Sequence, residues 1–187
     1  MMKNLVFILT LVTNFTLNSQ EKLPYAEIPV AANEYTPGTT ASRLIDGLGF
    51  RYYWATDGLK EKDLVFKPNT AARSSEETID HILGLSQVIL NATLKVKNGQ
   101  KKSEMTFAEK RKKTLDNLHQ ASKILRASKD ISQYKMIFGK KELPFWNVIN
   151  GPIADAIWHV GQVVSFRRSS GNPINPKIDH LSGRIKE

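Results

Sequence analysis

Asp155, His159 and Gln162 stand at i, i+4 and i+7 in an otherwise apolar stretch that runs from Ile153 to Phe166. That spacing places all three on one face of a helix. A carboxylate and an imidazole one turn apart can aim an oxygen and a nitrogen at a shared point, and divalent metals accept that mixed donor set. The same line would also serve as the polar face that any surface helix needs. His81 lies in a second apolar stretch, among Ile79, Ile82, Leu83, Leu85, Val88, Ile89 and Ala92. A helix apolar almost all round is largely buried, so the ring should point into protein. A single buried histidine is ordinarily a satisfied core residue. Two histidines and a carboxylate on facing helices form the sharper pattern, because bundle interiors build metal sites from inward side chains of facing helices.

The chain has no cysteine. Disulfides, thiolate metal sites and cysteine nucleophiles are excluded, which leaves the four histidines as the residues to follow. His119 adjoins the polar side of a helix and reads as solvated, and His180 falls in the tail. The net charge is +9, with much of the excess in Lys95, Lys97, Lys101, Lys102, Lys110, Arg111, Lys112 and Lys113. We read these as a solvated loop leading into a solvated helix face. No aromatics interleave with them and no nucleic-acid-binding motif appears, so a nucleic-acid partner is not expected.

The first twenty residues read as an address. Lys3 precedes the apolar run Leu5 to Val12, and the chain turns polar at Asn18-Ser19-Gln20. This is the outline of a secretory signal peptide over residues 1–20, with cleavage near Ser19 or Gln20. The run is shorter than the ~20 residues a membrane span requires. The expected protein is therefore exported, periplasmic or secreted, with no membrane span after signal removal. Asn91-Ala92-Thr93 matches a glycosylation sequon but falls in a helix expected to be buried.

The elements that must position the histidines follow from periodicity and caps. Residues 21–39, rich in proline, read as an irregular arm. A first helix is expected over residues 40–57, with Leu44, Ile45, Leu48, Tyr52 and Ala55 on its apolar face. A second starts at a capping box of Ser74 and Glu77, and a third at Thr106 and Glu109. The fourth is expected to begin at Gly151-Pro152 and to stop at Gly171. The tail, residues 174–187, reads as extended over the surface. No strand pattern competes. The fold class expected is all-α, an up-down four-helix bundle over residues 40–173 with irregular arms at both ends.

With these residues in view, the chain resembles the DinB-like superfamily of metal-binding four-helix bundles. The resemblance rests on Ile79-Asp80-His81-Ile82-Leu83 in the second helix. It rests also on Asp155-Ala156-Ile157-Trp158-His159-Val160-Gly161-Gln162, then Arg167, Arg168 and Gly171, in the last. The segment from Tyr53 to Leu59 looks like the end of that family's first helix. Asp155 stands where the family usually has its first motif histidine, and Val160 replaces the motif arginine. The resemblance implies a divalent ion (Zn, Ni, Mn and Fe are not distinguished) held by His81, Asp155 and His159. It implies a hydrolase or a transferase, thiol-dependent in the second case, since some members are thiol S-transferases or isomerases. A carboxylate in the set lowers the effective charge of the ion relative to three imidazoles.

The function expected is a divalent-metal-dependent hydrolase or transferase acting on a small molecule. Gln162, one turn beyond His159, is the candidate to orient a ligand or bound water. Tyr52, Tyr53 and Trp158 are candidates to line a pocket, or else ordinary core. The alternative is a non-enzymatic binding or stress-related bundle in which the metal is structural or absent. A homodimer fits the resemblance, although no heptad seam requires one.

Overall fold

The computed structural model describes residues 22–99 and 104–187. The expected leader over residues 1–20, with Lys101 and Lys102 of the basic stretch, lies outside the described residues. The chain is mostly helical with a few short strands. Four long helices carry the core: α1 (Pro37–Thr56), α3 (Ser75–Leu94), α4 (Phe107–Arg126) and α6 (Ala154–Ser169). Two short helices, α2 (Glu61–Leu64) and α5 (Phe145–Val148), lie between them.

The helix starts follow from side chains that cap free backbone N–H groups. Ser74 with Glu77 opens α3 and Thr106 with Glu109 opens α4, both as reciprocal capping boxes. Helix α1 starts earlier than expected, at Pro37, because Thr36 and Thr39 form a box of their own and proline occupies the first helical position. The last helix also starts earlier. Phe145–Val148 continues through a π-helical turn, Ile149–Ile153, into α6, and Pro152 lies inside that turn. Proline cannot donate to the carbonyl four residues back and its ring would strike it. Widening the turn accommodates Pro152 without ending the helix.

Helix directions can be read from the contacts that join the rods. Arg111 at the start of α4 reaches Tyr53 and Thr56 at the end of α1, while Arg126 at its end reaches Asp46. These two are antiparallel. Lys110 bonds Glu76 and Asn117 bonds Ser86, so α3 and α4 run parallel. Arg167 at the end of α6 bonds Trp54 and Ala55 at the end of α1, so these two run parallel as well. Helix α6 lies against α3 and α1. The arrangement is up-down-down-up, which corrects the simple up-down order. Two parallel neighbours need a connection that returns along the bundle. Helices α3 and α4 are such a pair, and the described residues between them are 95–99 and 104–106.

The arms are more ordered than expected. Tyr25 inserts into the core against Gly49, where a Cβ would collide with the tyrosine ring. Trp54 Nε1 donates to the carbonyl of Ala26, and Arg126 to that of Val30. Between α4 and α5, β2 (Lys135–Phe138) and β3 (Lys141–Pro144) form an antiparallel hairpin, which β1 (Lys97–Asn98) joins in parallel. Gly139 takes the positive-φ position of its two-residue turn. The tail folds back as a second hairpin, β4 (Ile178–Asp179) with β5 (Arg184–Ile185), pinned by the bond from Ile28 N to Gly183 O. Its His180 sits edge-on to Phe50. Leu44, expected in the core, is exposed.

Two arginines close the C-terminal end of α1, whose last turn has no basic residue of its own. Arg111 lies 4.6 Å over the Tyr53 ring and donates to Tyr53 O, Thr56 Oγ1 and Asp57 Oδ1. Arg167 is buried and donates to the carbonyls of Trp54, Ala55 and Asn172. The last carbonyls of a helix lack intrahelical partners, and cations there are favoured. The expected solvated basic face is thus partly structural. Arg111 caps α1, and Lys110 bridges Glu76 and Asp80.

Beside this clamp, the buried Asp63 accepts bonds from Ser170 Oγ, Asn172 Nδ2 and the Lys60 N–H. Burial alone would push its carboxyl upward; the hydrogen bonds from Ser170, Asn172 and Lys60 outweigh burial and hold it below the ordinary carboxylate range. A carboxylate that ionises more readily in the folded chain stabilises the fold above its unfolded pKa of about 3.9. That contribution is lost as pH falls through the lower folded value. In urea denaturation, Asp63→Asn should therefore be less stable than wild type at neutral pH, and the gap should narrow in acid. Arg167→Leu should cost about 2–3 kcal/mol, since it strands the buried carbonyl of Ala55 and the part-buried carbonyls of Trp54 and Asn172.

Candidate metal centre

His81 stands in the second turn of α3, and Asp155 and His159 stand in the first two turns of α6. The π turn ends at Ile153, so Asp155 is the second residue of regular helix after it. Capping at Ser74 fixes one partner helix and the Arg167 clamp fixes the far end of the other. The three side chains meet across the α3–α6 seam.

His81 Nε2 lies 3.1 Å from Asp155 Oδ2, and His159 Nε2 lies 3.3 Å from Asp155 Oδ1. The two imidazole rings are 4.6 Å apart and nearly perpendicular. One donor atom from each residue can be chosen so that all lie within 4.8 Å of one another. Donors that share one ion at about 2.0–2.2 Å sit about 3–3.5 Å apart, so the two carboxylate contacts already have the spacing of a coordination edge. The donor set, two imidazole nitrogens and a carboxylate, suits a borderline divalent ion.

Gln162 completes the arrangement. Its Oε1 lies 2.7 Å from His159 Nδ1. An amide oxygen only accepts, so Nδ1 carries the proton and Nε2 turns toward Asp155. Orientation of a metal-ligating histidine through its other ring nitrogen is the usual supporting interaction. Nε2 of each histidine faces a carboxylate oxygen. A proton or a metal ion between them reconciles the lone pairs.

The cluster is half-exposed: the side chains of His81, Asp155 and His159 are 35, 38 and 15% accessible. His81 was expected to point into protein; it sits at the edge of the core, open enough for a ligand to reach. Of the aromatic candidates, Tyr52 is fully buried in the core and Tyr53 is half-buried beneath Arg111. Trp158 is 72% exposed, three residues after Asp155 and four before Gln162, hence their neighbour on the helix surface. His119 is half-buried and packs edge-on against Tyr25, away from the cluster. His180 is likewise elsewhere. The sequon residue Asn91 is buried and bonded to Asn98.

The clamp residues Arg111 and Arg167, which hold α4 and α6 respectively against the end of α1, were not identified as structural from sequence. The signal available was the absence of any basic residue in the last turn of α1. No family model, no curated protein and no solved structure matches the chain. Among the described residues, no helix is long and apolar enough to cross a membrane.

In equilibrium dialysis, Gln162→Ala should weaken divalent-ion binding about 10–100-fold while leaving one site per chain. Asp155→His, which exchanges one donor for another, should retain the site, and Asp155→Ala should lose it.

Proposed function

We propose that this chain is an exported divalent-metal-dependent hydrolase or transferase, built on a bundle of the DinB-like kind. The observation that carries the reading is the meeting of His81, Asp155 and His159, from two helices, at one accessible point. A divalent ion held there would supply a Lewis acid for a substrate oxygen, or would activate water or a thiol. Three protein donors leave room for exogenous ligands, which separates catalytic from closed structural sites.

The chain's own groups have defined tasks around that point. Asp155 spans both imidazoles, one through each carboxylate oxygen, and so sets their separation. Gln162 holds the His159 ring by its far nitrogen. Trp158 offers a flat apolar face at the rim, on which the unreactive body of a small substrate can rest. An ion with a carboxylate ligand would acidify bound water less than one held by three neutral imidazoles. Export argues against a cytosolic thiol as cosubstrate, so hydrolysis leads this reading.

The deciding experiment is metal analysis of the purified chain, followed by assays on activated esters and thiol-transfer substrates with Zn, Mn, Ni or Fe added. Wild type should carry about one ion per chain and turn over at least one substrate class. His81→Ala and Asp155→Ala should lose both ion and turnover. Equal, negligible metal in all three proteins would remove the basis of the proposal. Trp158→Ala should raise KM more than it lowers kcat, since it removes uniform binding. Mass spectrometry of the exported protein should show a new N-terminus near residue 20.

A further inference from the structure

We propose that the outer face of the α5–α6 rod is an interface, on which a second copy of this chain packs antiparallel. Trp146, Asn150, Ala154, Trp158, Gly161 and Ser165 are all exposed. Ser165 follows Trp146 by nineteen residues. The π turn absorbs one of them, which leaves about five whole turns of ordinary helix. The six residues therefore share one stripe, about 27 Å long. Trp146 and Trp158 stand on it 76 and 72% exposed, whereas Trp54 is tied to the arm through its ring nitrogen. Large apolar surface gathered in this way marks an interaction site.

Charge selects the occupant. Between Trp146 and Ser165 the ionisable side chains are Asp155 and His159, and both turn to the α3 seam. Every residue of α5 and α6 is described, so the charge of the stripe is complete, and it is zero. The chain as a whole carries +9. Two such copies repel one another, and an uncharged face is where they meet at the lowest cost. An anionic surface would instead be drawn to α4, where Lys112, Lys113 and Lys123 are exposed. Helices α4 and α6 each pack on α1 and α3, and so stand at opposite corners of the bundle. The described chain begins at Lys22, beside His119 of α4. Gly99 and Glu104, which flank residues 100–103, lie beside Lys110 and Lys113 of α4. The stripe is on the far side from both.

Shape makes the stripe complementary to itself. Consider a two-fold axis between Ala154 and Trp158. Antiparallel pairing about it sets Trp158 against Ala154 of the second copy, Asn150 against Gly161, and Trp146 against Ser165. Each large side chain meets a small one, in both directions, as an isologous contact requires. Small opposing residues let the two helix axes approach to about 8 Å. The monomer gives Gly161 no other task. Glycine inside a helix costs about 1 kcal/mol against alanine. A Cβ at Gly161 would meet nothing within 4 Å. Four tryptophans, two from each copy, bring on the order of 700 Å² of buried surface. The rest of the stripe and the exposed Ile157 raise the total to about 1,000 Å², the size a stable interface needs. Asp155 and Gln162 lie to one side of Trp158, toward α3, so pairing leaves the metal cluster open.

The test is sedimentation equilibrium of the purified chain, with circular dichroism to follow the fold. Wild type should be dimeric at about 100 μM. Trp146→Ser removes a large side chain, and Ser165→Trp sets two large ones against each other. Each should weaken the dimer at least about tenfold. The double variant Trp146→Ser/Ser165→Trp restores large against small, and should return to within about threefold of wild type. Both positions are exposed, so all three variants should keep the helical spectrum. A monomeric wild type, whether or not it binds anionic vesicles, would overturn the proposal. So would single variants that dimerise like wild type, or a double variant no tighter than the singles.

Discussion

The last turn of α1 carries the rest of the arrangement. Its carbonyls have no partners within the helix and no local cation to face, so the chain must bring donors from elsewhere. Arg111 comes from the beginning of α4 and Arg167 from the end of α6. One helix end therefore fixes the direction of two others: α4 must run against α1 and α6 must run with it. Once α6 is anchored at Arg167, about three turns of helix lead back to Asp155, which faces α3. The contact between Asp155 and His81 follows from a clamp at the other end of the molecule.

At the cluster, electrostatics and geometry agree. One carboxylate lies between two imidazoles, with a different oxygen toward each. Packing alone gives little reason to gather three such groups at an accessible seam, where leucine or alanine would close the gap at lower cost. Two imidazoles and a carboxylate gathered at one accessible point form a donor set that a divalent ion accepts. The buried polar network around Asp46 has a different character. Asp46 accepts from Tyr25, Ser122 and Arg126 and ties the N-terminal arm to the bundle. The Tyr25 hydroxyl is raised by burial, and further by that neighbouring carboxylate. Asp46 and its partners are satisfied by the protein itself, whereas the acid and imidazoles of the cluster face one another at a surface that ligands can reach.

Much of this was legible in the sequence, for physical reasons that can be named. The capping boxes at Ser74 and Thr106 are local chemistry, and both helices begin where those residues place them. The i, i+4 relation of Asp155 and His159 is also local. The approach of His81 depended on two apolar faces packing together, which composition favours but does not guarantee. What was hidden depended on partners distant in sequence. Arg111 sits in a run of lysines and reads as a solvated charge, yet it caps a helix more than fifty residues away. Short strands such as Lys135–Phe138 gave too few residues for alternation to register. The up-down-down-up order depends on long connections, which carry no periodicity.

The π turn links the sequence to the site most directly. Val148 and Ile153 are both buried, though five residues apart. In a regular α-helix that spacing would rotate one of them well away from the core. A turn with i to i+5 bonding brings them back to one face. Pro152, which would break an ordinary helix here, is accommodated by the same widening. The extra residue is absorbed before Ala154, and the regular register of α6 starts from there. Ala156, Val160 and Val163 then keep the core face. Asp155, His159 and Gln162 are left along the seam with α3. Without the wide turn, α5 and α6 could not both bury their apolar sides, and one would have to rotate. If that were α6, the carboxylate would turn away from His81.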